Sequence, residues 1–188
     1  SNEALLIYNQ KVQTTFSKTS GNVTFKVQYP ENITCGMPTT FKLSSEGTTD
    51  KVQYALYSLT TEDGTIVYDT SYGSNGKFFS KDSFDFTFYA SGTYYIRFAI
   101  MDTGVSPYVW FNTGLYGIKL VIDDKGYPTV ENVVADLKAQ CGKTCTTDFE
   151  KAVWFNDWLV ENCRYDSSYS YCAPEGALAR GSGTCEAY

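Results

Sequence analysis

The chain has 188 residues, 43% of them hydrophobic, no histidine, and a formal net charge of -6 at pH 7. This length and apolar content support one or two domains with real cores and exclude a disordered chain, while the acidic balance and the lack of a Lys/Arg cluster exclude nucleic acid and anionic membrane surfaces as expected partners. No run reaches the roughly 18 apolar residues of a membrane span, and the opening residues lack the basic and apolar regions of a signal peptide, so the expected partner is protein or carbohydrate.

From Asn22 onward the chain alternates with period two. Val23, Phe25, Val27 and Tyr29 share a face in NVTFKVQY, Phe41 and Leu43 follow the turn at Pro38, and Val52, Tyr54 and Leu56 continue in KVQYALYSL. The loop Glu62-Asp63-Gly64 then joins KVQYALYSL to TIVYDT as a hairpin connection does. Phe84, Phe86 and Phe88 alternate in SFDFTFYA, Tyr94, Ile96, Phe98 and Ile100 in TYYIRFAI, and Tyr116, Ile118, Leu120 and Ile122 in LYGIKLVID. Seven or so strands without a helical period predict a mainly β domain, a β-sandwich, over residues 1–124. The segment FTFYASGTYYIRFAIMD resembles the late strands of bacterial immunoglobulin-like modules. The chain has 16 tyrosines, and with its abundant Thr, Ser and Gly this part has the texture of a secreted or cell-surface domain.

After Asp123-Asp124-Lys125-Gly126 the period changes to 3.6, which places a boundary at about residue 125. Val130, Val133, Val134 and Leu137 fall on one helical face, with Pro128 and Thr129 at the start and Gly142 at the stop. A second helix opens on a capping box, Thr147 with Glu150, and runs to Cys163 with Ala152, Phe155 and Leu159 along one face. Trp154 and Trp158 lie four apart on it, as core residues or as the wall of a substrate channel. Asp157 and Asp166 read as surface or capping carboxylates. A short third helix is opened by Pro174 and closed by Gly181. The chain then reads GSGTCEAY, placing Cys185 where a helix begins, and a thiol at such a place loses its proton more easily. Gly181 and Gly183 leave room for a substrate backbone, and an N–H at Gly183 or Thr184 could face a developing oxyanion.

DFEKAVWFNDWLVENCRYD, a variable loop and then PEGALARGSGTCEAY together resemble the opening of bacterial transglutaminase-like domains, a branch of the papain-like cysteine enzymes. The matching pieces are Asp157-Trp158-Leu159, Tyr165-Asp166, Ala177-Leu178 and Gly181 to Cys185, and the resemblance covers about residues 128–188. It implies that residues 125–188 are the helical start of an α+β domain with Cys185 as nucleophile. The implied reaction is acyl transfer on a protein or peptide, a cell-wall peptide among the candidates, with no metal or cofactor. In the family a histidine and an aspartate follow the cysteine in strands that these residues do not reach. The chain by itself is therefore expected to be inactive, a fragment of a secreted cysteine enzyme that crosslinks proteins or hydrolyses peptides. The alternative is a non-catalytic cell-surface binding or adhesion protein with a degenerate domain of this type.

Five of the six cysteines crowd the end of the chain. Cys141, Cys145, Cys163 and Cys172 depart from the tight paired spacing of a four-thiolate zinc site. Disulfides are expected instead, with Cys141–Cys145 and Cys163–Cys172 closing the smallest loops, and Cys35 and Cys185 left reduced.

Overall fold

The computed structural model describes residues 11–68, 78–169 and 171–188. Nine strands come first: β1 (Gln13–Ser20), β2 (Val23–Pro30), β3 (Pro38–Glu46), β4 (Val52–Thr61), β5 (Ile66–Tyr68), β6 (Ser83–Thr87), β7 (Gly92–Asp102), β8 (Val109–Asn112) and β9 (Ile118–Ile122). They form two antiparallel sheets. One runs β1-β2-β3-β6 and the other β5-β4-β7-β8, with β9 paired to the first half of the long strand β7. The end of the expected TIVYDT strand lies outside the described residues.

The expected alternation places the core. Phe25, Val27, Phe41, Leu43 and Phe86 of the first sheet meet Tyr54, Leu56, Ile96, Phe98 and Ile100 of the second. Phe41 and Phe98 approach to 5.5 Å between ring centroids, and Phe25 stacks on Tyr54 at 5.7 Å. Offset and tilted ring pairs of this kind add to the area they bury.

Four details depart from the sequence expectation. Strand β1, QTTFSKTS, has no buried residue, so it carries no apolar period, yet all eight of its residues pair with β2 across the two-residue turn Gly21-Asn22. Strand β8 is four residues long and was also not expected. In β4 a bulge between Leu56 and Ser58 shifts the inward face, so that Leu59, not Ser58, reaches the core. Tyr116 lies outside β9 and is exposed, because the strand begins only after Gly117.

Helix α1 (Val130–Cys141) and helix α2 (Asp148–Asn162) follow the strands. Thr129 and Asn132 form a capping box on α1, Thr147 and Glu150 one on α2, and Gly142 ends α1. The junction is pinned to the sheets. The Cys35 N–H donates to Asp124 Oδ2 at 2.9 Å, and the Ser91 N–H donates to the Pro128 carbonyl at 3.2 Å. Leu137 and Cys141 bury one face of α1. Helix α2 buries none of its residues: Phe155 and Leu159 are half-covered and Ala152 is exposed, so the expected apolar face is only partly used.

Beyond α2 the chain returns to the sheets at Tyr171. Its hydroxyl donates to the Thr87 carbonyl at 3.0 Å, and its ring contacts Phe86 and Tyr89 at 5.5 Å and Tyr68 at 6.1 Å. The Cys172 N–H donates to the Val67 carbonyl at 3.0 Å. Tyr171→Ala removes a buried ring and leaves a cavity, with an expected loss of about 3 kcal/mol. Tyr171→Phe loses only the hydroxyl bond, about 1 kcal/mol. Urea denaturation followed by tryptophan fluorescence checks both, and equal losses in the two variants would contradict the ring's role as anchor.

Candidate active site around Cys185

The site is built from a folded-back strand pair. Strand β10 (Arg164–Tyr165) runs parallel to β11 (Ser182–Gly183), and the Arg164 and Asp166 N–H groups donate to the Gly181 and Gly183 carbonyls at 2.9 Å each. Between them Gly176–Arg180 forms the short helix expected there, but wound as a wide π-type turn, with the Gly181 N–H bonded to the Gly176 carbonyl. Gly181 takes φ 73°, the left-handed conformation that a glycine adopts without a Cβ clash.

Gly183 is buried, and a Cβ there would sit 2.6 Å from the Ala187 Cβ. The residue is glycine because the next turn packs on it. Thr184 is buried too, and its N–H donates to the Tyr171 carbonyl at 2.9 Å. That N–H is thus engaged within the protein. Cys185–Ala187 form a three-residue 3-10 turn with the Cys185 side chain exposed.

The structure thus brings Gly183, Thr184 and Cys185 together. Trp158 stands apart: it is half-buried on α2, and no hydrogen bond or ring contact joins it to this turn among the described residues. The end of α2 reaches the site through Cys163, whose thiol donates to the Ala177 carbonyl at 3.0 Å. Asp157 is exposed. Asp166, expected at the surface, is buried: it accepts from the Ser168 N–H at 3.0 Å and the Tyr171 N–H at 3.2 Å, and pairs with Arg180 at 3.3 Å. The Arg180 guanidinium lies over the Tyr171 ring at 4.1 Å. Arg180 and Tyr171 were not singled out by sequence, since a lone arginine and a tyrosine in a Ser/Tyr loop carry no motif.

Cys141, Cys145 and Cys163 carry free thiols, so neither expected disulfide is formed. Cys141 and Cys145 are neighbours around the end of α1, with the Cys145 N–H on the Cys141 carbonyl at 2.9 Å and no S–S bond. Burial pushes the thiols of Cys141 and Cys163 up, and that of Cys35 to about 12 with help from the nearby Asp124 and Glu175 charges. Among the described residues no three His, Cys, Asp or Glu side chains gather as a metal site requires.

Glu175 also escaped the sequence. It is 2% exposed, the Tyr94 hydroxyl donates to its Oε2, and its Oε1 has no partner among the described residues. The single Tyr94 hydroxyl proton has two acceptors within reach, Glu175 Oε2 and the Ala90 carbonyl at 2.8 Å. Burial raises the Glu175 carboxyl to about 7, against a lowering from the Tyr94 hydrogen bond.

No family model, no curated protein and no solved structure matches this chain.

The buried carboxyl makes stability depend on pH. Glu175 holds its proton more tightly folded, to about 7, than at its ordinary 4.5. Its contribution is complete below about pH 4.5 and is lost as pH rises through 7, a change on the order of 3 kcal/mol. Its ionisable neighbours Tyr94, Tyr171 and Cys35 are raised by burial, away from this window. Glu175→Gln keeps an acceptor for the Tyr94 hydroxyl but cannot ionise, so its urea midpoint is expected to change less between pH 5 and pH 8 than that of the wild type. Equal slopes in the two proteins would refute the assignment.

Proposed function

We propose that this chain is an immunoglobulin-like sandwich joined to the nucleophile-bearing part of a transglutaminase-like cysteine enzyme that is secreted or held at the cell surface. The observation that carries the proposal is the presentation of Cys185. Cys35, Cys141 and Cys172 are buried and Cys145 and Cys163 half-covered, while Cys185 stands exposed at the head of a turn that two strands and a glycine pair hold in place.

In this reaction the Cys185 sulfur attacks the carbonyl carbon of a carboxamide or peptide. The C–N bond breaks, the leaving amine takes a proton from a general acid, and a thioester remains on Sγ. An amine or water then attacks the thioester and restores the thiol. These 188 residues contain no imidazole, so the acid and base come from outside them and the chain alone turns over poorly. Crosslinking and hydrolysis differ in how well water is kept from the thioester.

Two measurements test the proposal. Iodoacetamide is expected to label Cys185 faster than Cys35 or Cys141, whose thiols are buried, as read by peptide mass spectrometry after short exposures. In the full-length protein Cys185→Ala should abolish amine incorporation and peptide hydrolysis together, because both pass through the same thioester. Wild-type activity in that variant would remove the catalytic assignment and leave the binding-protein reading.

A further inference from the structure

The outer face of the second sheet is lined with rings that the core does not use. Tyr94, Ile96, Phe98 and Ile100 of β7 point into the core, so Tyr95, Arg97, Ala99 and Met101 point outward. Tyr57 of β4 and Trp110 of β8 lie on opposite sides of β7, yet their rings meet across it at 6.5 Å. The Arg97 guanidinium lies over the Tyr57 ring at 4.6 Å and is fixed there by its Nε, which donates to the Gly114 carbonyl at 2.8 Å. Farther along β7, the Tyr95 ring meets that of Tyr116 at 6.2 Å, and Tyr95 stands opposite Lys119 of β9. Trp110 is 46% exposed and Tyr116 72%. Rings left this far in water add little to folding.

Charge and shape limit what such a face accepts. Strands β4, β7, β8 and β9 contain one carboxylate, Asp102, which is buried, while Arg97 and Lys119 stand on the outer face. In a chain of net charge -6, the strands thus give this face cations and no anion. Trp110 is level with Met101, and Tyr116 meets Tyr95. The rings are therefore strung along six residue steps of β7, about 20 Å at about 3.4 Å per residue.

We propose that this face binds a linear acidic polysaccharide, one that carries uronate units. The electron-rich face of an aromatic ring attracts the C–H groups on the flat side of a sugar ring, and a guanidinium and an ammonium beside the rings accept the carboxylates. A row of rings matches a chain of repeating units. A second copy of the chain does not fit, because pairing this face with itself brings cations to cations only. Cys185 is no part of this surface, so the test is independent of the one for the nucleophile.

Isothermal titration calorimetry of the 188-residue chain with hexagalacturonate and with a hyaluronate hexasaccharide tests the surface. Cellohexaose and hexaglutamate serve as the neutral-sugar and acidic-peptide controls. Saturable one-to-one binding of either uronate supports the proposal, and digalacturonate, too short to cover the row, should bind more weakly than the hexamer. Trp110→Ala should weaken binding at least about ten-fold by removing a stacking ring. Lys119→Glu, which leaves every ring in place and puts a carboxylate on the face, should weaken it at least about ten-fold as well. Circular dichroism checks that each variant is folded, and if Trp110→Ala does not fold, the exposed Lys119→Glu decides alone. The proposal is overturned by cellohexaose or hexaglutamate binding as tightly as the uronates, by digalacturonate equalling the hexamer, by uronate binding at full strength in either folded variant, or by no saturable binding up to about 10 mM.

Discussion

The C-terminal third depends on Tyr171. A ring buried among Tyr68, Phe86 and Tyr89 joins the core of the two sheets, and its backbone does as much as its side chain. The neighbouring Cys172 N–H extends the edge of β5, and the Tyr171 carbonyl receives the Thr184 N–H. One residue therefore ties the turn that carries Cys185 to the β part of the molecule. Without that tie the last residues have few buried contacts of their own, since α2 buries nothing and the closing turn is three residues long. Local stability follows the density of such contacts.

Arg180 and Asp166 finish what Tyr171 begins. Asp166 gathers backbone donors from both sides of the 166–171 loop, and its ion pair holds Arg180 flat on the Tyr171 ring. Arginine is suited to this place, because a planar cation can stack on a ring and still present N–H groups in its own plane. The wide turn from Gly176 to Arg180 then brings the chain back so that β11 can lie beside β10. Position is thus handed along a sequence of small, satisfied contacts to the turn that carries the exposed Cys185.

What was legible in the sequence was what repeats. The period-two runs at Val23–Val27 and Tyr94–Ile100 place the core because each alternate residue is paid in buried area, and the capping residues Thr129 and Thr147 mark both helix starts because the free N–H groups there need an acceptor. Strand β1 was hidden because an edge strand can be held by backbone bonds alone, although Gly21-Asn22 was a hairpin signal in plain view. The bulge in β4 shifts phase by a single residue, which no average over a window can resolve, and β9 keeps the expected phase but begins only after Gly117. At the site, Cys185 and its glycines were readable from their spacing. Tyr171, Arg180 and Glu175 were not, because their roles arise only when residues 80 positions apart meet, as Tyr94 and Glu175 do. Cysteine density did not show that the Cys163 thiol turns to the Ala177 carbonyl, whereas the thiols of Cys141 and Cys145 do meet, as their spacing suggested.

Three carboxylates are buried here, and they are not treated alike. Asp102 accepts from the Thr49 N–H at 2.7 Å, the Thr49 hydroxyl at 2.6 Å and the Gly104 N–H at 2.9 Å, and its carboxyl is held down by those bonds. Asp166 is surrounded by backbone N–H groups and a guanidinium. In both cases the donors compensate for the water that burial removed. At Glu175 the Tyr94 hydroxyl donates to one oxygen and the other has no partner among the described residues, so burial outweighs that single bond and drives the carboxyl up to about 7. Two of these carboxylates are thus given the donors that keep them charged, and the third is given too few, so that burial favours its neutral form.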